Sequence, residues 1–264
     1  MTAPAIPSIG LRAPSGSVPI PLVGLGTWQV EGERGYRAVR HGLDAGYRHI
    51  DTATAYGNEE QVGRAVADSG LARSEVFVTT KLPPEAAGHE RATLEQSLRR
   101  LGTDYVDLWL VHWPPSGHAA PGTWQTLRKL RDENLVRAIG VSNYSLGQID
   151  ELIEATGEAP AINQIPWSPT DFDPVLVAGH TQRGVALEGY SPFKRTDAAD
   201  PTLREIAAAH GVSVQQIVVA WHLHHRVVCI PKSVHPEHII HNLDVLGFEL
   251  GDTEVALIDT LGTG

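Results

Sequence analysis

The chain carries a single cysteine and a single methionine in 264 residues. One cysteine cannot close an internal disulfide, which excludes a disulfide scaffold and agrees with a reducing compartment. Apolar runs are short. None reaches the roughly 20 residues needed to cross a bilayer as a helix, so no membrane-spanning segment is expected. The N-terminal stretch MTAPAIPSIGLRAPSGS has no basic region leading into an apolar one and does not read as a secretory signal. Basic clusters are missing too: 21 Lys and Arg face 31 Asp and Glu, a net charge of −10. Phosphate backbones repel a chain of that sign, so nucleic acid is not an expected partner. No H-E-x-x-H, G-x-S-x-G or Walker A pattern occurs. The expectation is a soluble, acidic, cytoplasmic protein, monomeric and free of membranes.

What the sequence does have is a repeat of short apolar runs. They are PLVGLG (21–26), YRHID (47–51), VFVTTK (76–81), YVDLWLVH (105–112), VRAIGVS (136–142), AINQI (161–165), VALEGY (185–190) and VVCIPK (227–232). Continuous apolar runs bounded by polar, Gly or Pro residues predict strands buried on both faces. Between them, residues 36–46, 59–70, 90–102, 123–135, 145–157 and 201–212 show helical periodicity. Gly46, Gly70, Gly102, Gly157 and Gly211 stand where helices end. VSVQQIVVAWHLHH (212–225) adds a further helix before the last strand. Eight strand–helix units predict a (β/α)8 barrel in one domain, 1–264. A doubly wound nucleotide-binding sheet would carry G-x-G-x-x-G, but Gln29 follows Gly24 and Gly26 where a third glycine is required. The segment IPSIGLRAPSGSVPIP predicts a hairpin around Pro14–Gly16 that closes one barrel end.

In such barrels the active site gathers at the carboxyl ends of the strands. The second run ends at Asp51, with Tyr56 five residues on; the third ends at Lys81 and the fourth at His112. Taken singly, each has an ordinary explanation: an Asp–Lys surface pair, a packed tyrosine, a core histidine. Together they place a carboxylate, a phenol, an ammonium and an imidazole at one rim. An ammonium beside a phenol favours the phenolate, making the phenol a better acid, and a carboxylate keeps the ammonium charged. An imidazole can hydrogen-bond an oxygen gaining negative charge. This set suits protonation of a carbonyl oxygen while hydride arrives at carbon, and hydride requires a borrowed cofactor.

These residues and their surroundings resemble the aldo-keto reductases. The match runs through GLGTW (24–28), RHIDTATAYGNEEQVGRA (48–65), VFVTTKL (76–82), LGTDYVDLWLVHWP (101–114), IGVSNYS (139–145), NQI (163–165), YSPF (190–193), IPKS (230–233) and FEL (248–250). The resemblance implies a (β/α)8 barrel, an extended nicotinamide cofactor and an aldehyde or ketone substrate. It makes Tyr56 the general acid, tuned by Lys81 and Asp51, with His112 orienting the carbonyl. Ser142, Asn143 and Gln164 would hold the nicotinamide carboxamide, and Tyr190 would stack on its ring. Thr27 and Asp51 would lie near its ribose, and Ser191, Phe193 and Lys194 along the pyrophosphate. Lys232, Ser233 and Val234 would meet the adenosine ribose and its 2′-phosphate.

This sequence departs from the family pattern where Arg, Glu and Asn follow that Lys: here stand His238, His241 and Asn242. Arg offers a permanent charge, whereas His is charged only when protonated. The expectation is NADPH use with weakened preference over NADH and with affinity improving in acid. Trp28 and Trp113 are expected as apolar walls of the substrate pocket. The short loop after His112 and the ending LIDTLGTG imply an open, permissive pocket. No metal is expected, although His235, His238 and His241 are spaced to share a helix face. Glu59 and Glu60 after Asn58 read as a helix-capping feature, and Cys229 as buried. The alternatives are a cofactor-sensing regulatory subunit on the same fold, or a barrel hydrolase or isomerase.

Overall fold

The computed structural model describes residues 6–14 and 16–262. Ser15, inside the predicted hairpin turn, lies outside the described residues, as do 1–5 of the stretch read as non-secretory and the last two positions of 1–264. Strands β1 (Ser8–Ala13) and β2 (Gly16–Pro21) pair antiparallel, Ile9 opposite Ile20 and Leu11 opposite Val18. Eight further strands follow: β3 (Leu25–Gly26), β4 (His49–Asp51), β5 (Phe77–Leu82), β6 (Val106–Val111), β7 (Val136–Ser142), β8 (Ile162–Pro166), β9 (Ala186–Tyr190) and β10 (Val228–Cys229). They lie parallel in chain order. Bridges from Val23 to Cys229 and from Gly26 to Lys232 join the first strand to the last, closing the barrel.

Helices α1 (Gly32–Ala45), α2 (Glu59–Ala67), α3 (Glu90–Leu101), α4 (Pro121–Asp132), α5 (Leu146–Thr156) and α6 (Pro174–Arg183) each follow one strand in turn from β3 to β8. The pair α7 (Pro201–His210) and α8 (Val214–His224) follows β9; α9 (Pro236–Leu243) and α10 (Asp252–Asp259) follow β10. Local chemistry sets their ends. Ser145 and Ser213 each accept a hydrogen bond from the backbone of a Gln three residues on, whose side chain returns the bond, so both helices begin with a capping box.

Strands β5 and β6 are buried over their full length, which is why both read as apolar runs without alternation. Their faces nevertheless divide. Val78, Trp109 and Val111 pack outward with Leu94, Leu98, Trp124 and Leu127 of the helices. Phe77, Leu108 and Leu110 point inward with Ala138 and Ile162, where the hairpin's Leu11, Val18 and Ile20 plug the barrel floor. Glycine makes room inside: a Cβ at Gly24 would stand 2.4 Å from His49 Nδ1.

Three expectations need correction. The first, second and eighth strands are shorter than their apolar runs, because only a few residues of each reach ladder pairing. Helix α2 ends at Ala67 with Asp68 as its cap, so Gly70 lies beyond the helix end. Helix α6 was absent from the periodic segments: it buries only Gly179 and His180, too little apolar face to show a period.

Candidate active site at the carboxyl end of the barrel

On β4 and β5 the inward face becomes more polar toward the carboxyl end. On β5 the series is Phe77, Thr79, Lys81; on β4 it is His49, Asp51. Asp51 pairs with Thr79 in register, and Lys81 two residues on then reaches across to Asp51. Lys81 Nζ donates to Asp51 Oδ1 at 2.6 Å and to the Thr52 carbonyl at 2.9 Å. The other Asp51 oxygen, Oδ2, accepts from Gln164 Nε2 at 2.8 Å. Both charges are buried and hydrogen-bonded, the condition under which a buried ion pair persists. Burial works against the Lys81 charge, but the Asp51 carboxylate and the facing Tyr56 oxygen outweigh it and hold the ammonium above its ordinary range.

Tyr56 lies over this pair, its ring centroid 5.2 Å from Lys81 Nζ and 5.6 Å from the His112 ring. Burial pushes the phenol up, and the Lys81 ammonium pulls it down without cancelling the burial effect. Lys81 therefore restrains the cost of burial rather than producing an unusually acidic phenol. Burial and the same ammonium push His112 down to about 3, so its imidazole is neutral at physiological pH and offers one N–H.

Next to these lies a second hydrogen-bonded group. Ser142 Oγ donates to the Gln164 carbonyl at 2.8 Å. Asn143 Nδ2 donates to Ser142 Oγ at 2.9 Å and to the His112 carbonyl at 3.1 Å, and Tyr190 Oη donates to Asn143 Oδ1 at 2.8 Å. Asn143 and Ser191 take left-handed backbone conformations, φ 63° and 55°. Such strain persists only where the surroundings fix it, and it concentrates at functional sites.

A cavity of about 420 Å³ brings thirteen of the sequence-predicted residues together: Thr27, Trp28, Asp51, Tyr56, His112, Trp113, Ser142, Asn143, Gln164, Tyr190, Ser191, Lys194 and Lys232. Lys81 lies behind its wall, reached through Asp51 and Tyr56. Phe193 packs against the core. Ser233 is buried and bonded to the His235 backbone, Val234 lines a separate surface cavity with Arg34 and Arg37, and Asn242 is buried in α9. His238 and His241 are exposed on α9, with the His238 ring 5.3 Å from that of His235. Lys194 and Lys232 form no ion pair among the described residues, so the cavity offers two free ammonium groups along with its amides and hydroxyls. That donor set fits an elongated anionic ligand such as a nicotinamide dinucleotide.

Sequence reasoning missed Gly26, Ala55 and Ile230 in the lining, and Asn58 beside it. Asn58 holds the N-cap position of α2 with Glu59 and Glu60 in the first turn, as expected, but its side chain makes no cap hydrogen bond. Its amide donates to the Thr27 and Val30 carbonyls at 2.8 and 2.9 Å while its oxygen accepts from Thr52, which fixes the loop bearing half-exposed Trp28. Glu59 is likewise no exposed capping acid: it is buried and accepts from Thr80 Oγ1 at 2.7 Å. A polar residue directly after a Tyr-Gly turn was the available signal; its partners 28 to 31 residues away were not. Cys229 is buried, as expected.

A parallel barrel with this polar rim defines a carbonyl-reducing enzyme dependent on a nicotinamide cofactor. The profile of the aldo/keto reductase family matches residues 22–263, and the chain belongs to that family. It is 41% identical to the morphine 6-dehydrogenase of Pseudomonas putida, with 94% of this chain and 89% of the relative covered. The crystal structure of an aldo/keto reductase from Brucella melitensis superposes with a TM-score of 0.92 at 40% identity, covering 97% of this chain and all of the other. A Bombyx mori aldo-keto reductase in complex with NADP superposes at 0.89 with 36% identity, covering 98% and 94%.

Proposed function

We propose that Tyr56 is the proton donor in NADPH-dependent reduction of aldehydes and ketones, with the whole chain acting as one catalytic domain. The observation that carries this reading is the buried Asp51–Lys81 pair beneath Tyr56, with neutral His112 opening into the same cavity. Bound NADPH supplies the hydride. The chain's own groups hold the carbonyl and move the proton. His112 donates its N–H to the carbonyl oxygen and orients it, as a fixed dipole does for developing charge. Tyr56 Oη passes its proton to that oxygen, and the phenolate left behind faces the Lys81 ammonium, which Asp51 keeps charged.

Ser142, Asn143 and Gln164 offer amide and hydroxyl groups for the carboxamide, and Tyr190 offers a ring face for the nicotinamide. Thr27 and Asp51 would meet the ribose, Ser191, Phe193 and Lys194 the pyrophosphate, and Lys232, Ser233 and Val234 the 2′-phosphate. With His238 and His241 at the positions of permanent or acidic groups, NADPH is favoured over NADH only weakly. Half-exposed Trp28 and Trp113 flank the cavity and support a broad range of carbonyl substrates. The −10 charge speaks against nucleic-acid partners, and a chain with one unpaired cysteine suits a cytoplasmic, monomeric enzyme.

Tyr56→Phe tests the central role. Turnover of a carbonyl panel is expected to fall by about 10²–10⁴-fold, the span of a lost general acid. Cofactor binding, followed by quenching of tryptophan fluorescence, should change less than twofold. Residual turnover close to that of the parent would overturn the assignment.

A further inference from the structure

Glu188 lies on β9 two residues before Tyr190 and is wholly buried inside the barrel. Neither of its carboxyl oxygens has a hydrogen-bond partner among the described residues. The ring of His49 approaches it, Nε2 standing 3.7 Å from Oε1. The titratable groups facing it are His49 and Asp51 of β4, Lys81 of β5, Tyr56 after β4 and Cys229 of β10. Gln164, its register partner on β8, gives one amide hydrogen to Asp51; the same amide favours the ionised form of Glu188, but less than burial and Asp51 oppose it. A buried carboxylate without hydrogen bonds is strongly disfavoured. Here it would also compete with Asp51 for one ammonium.

We propose that Glu188 is a positioning residue for the reduction: protonated, it leaves Asp51 as the sole counter-ion of Lys81, and on ionising it weakens Tyr56 as a proton donor. This rests on Tyr56 as the acid. Burial, then the Asp51 charge, push Glu188 up to about 8. Burial and Lys81 push His49 down to about 3, so the imidazole does not take the proton. Glu188 is thus neutral near pH 7 and releases its proton to solvent in mild alkali. The added negative charge raises the phenol further, since Glu188 acts on Tyr56 in that direction. Two neighbouring carboxyls kept in different protonation states are a recurring device for assigning separate roles.

The test is the single-turnover rate of carbonyl reduction from pH 6.5 to 9.5, in the parent and in Glu188→Gln. Loss of one proton near pH 8 lowers the parent rate by about tenfold between pH 7 and 9. The Gln variant, which cannot ionise, should vary less than twofold over that range. A merely structural role would lower the variant's rate equally at every pH and keep the alkaline decline; that outcome overturns the proposal. A second measurement needs no variant. The infrared carbonyl band of a buried protonated carboxyl should be present in the parent at pH 6.5 and lost by 9.5. Its absence at pH 6.5, or its persistence at 9.5, also overturns the proposal. Failure of the Tyr56 reading shows separately, as turnover retained by Tyr56→Phe.

Discussion

At the barrel floor, Phe77, Leu108, Ala138 and Ile162 meet the hairpin residues Leu11, Val18 and Ile20. Four residues further along two of the same strands, Lys81 and His112 stand at the rim with Asp51, Tyr56 and Gln164. The inward face changes from apolar through Thr79, His49 and Glu188 to the Asp51–Lys81 ion pair within one strand's length. Period-2 alternation allows this, because every second residue of a strand points to the same face. The floor is held by burial of apolar area, which stabilises without regard to chemistry. The rim holds a buried ion pair, whose desolvation cost makes it weak as a source of stability but strict about its partners. The comparison teaches that fold stability and proton chemistry are carried by different layers of one scaffold.

The rim gives the largest expected effect. Asp51→Asn removes the buried partner that holds the Lys81 ammonium in place and most favours its charge against burial. Single-turnover reduction should fall by about 10²–10⁴-fold, and denaturant unfolding should show a loss of about 3–5 kcal/mol. A variant near parental in both would break the claim that the pair is strict. The floor comes next. Ile20→Ala removes a fully buried side chain from the plug, and urea unfolding should report about 2–5 kcal/mol less stability. Its hydride-transfer rate should stay within twofold of the parent wherever the variant is folded. The smallest effect belongs to the exposed face of α9. His238→Arg should raise the NADPH-over-NADH affinity ratio by roughly three- to tenfold, the worth of one solvent-screened charged contact. No gain in that ratio in the variant would remove His238 from cofactor selection.

Much of this was legible in the chain. A charged or polar residue closing an apolar run is conspicuous, which is how Asp51, Lys81 and His112 stood out, and the eight repeats set the barrel that brings them together. Glu188 was hidden because a buried acid inside VALEGY looks like ordinary strand alternation; only closure of the barrel brings it beside His49 and Gln164 and into the field of Asp51 and Lys81. The side-chain role of Asn58 was not legible because its partners lie on the loop after β3, and a chemical group's use depends on what folds against it. Helix α6 escaped for want of an apolar face. The expectation that Lys81 makes Tyr56 a better acid holds in direction, while burial, invisible in a strand pattern, acts more strongly the opposite way.

The separation of layers is tested most directly by measuring unfolding free energy and single-turnover rate together for Tyr56→Phe and Ile20→Ala. Tyr56→Phe should lose about 10²–10⁴-fold in rate with stability within about 1 kcal/mol of the parent. Ile20→Ala should show the reverse, lower stability and an unchanged rate. Equal losses of rate in both variants, or a Tyr56→Phe that still reduces carbonyls at the parental rate, would contradict the account.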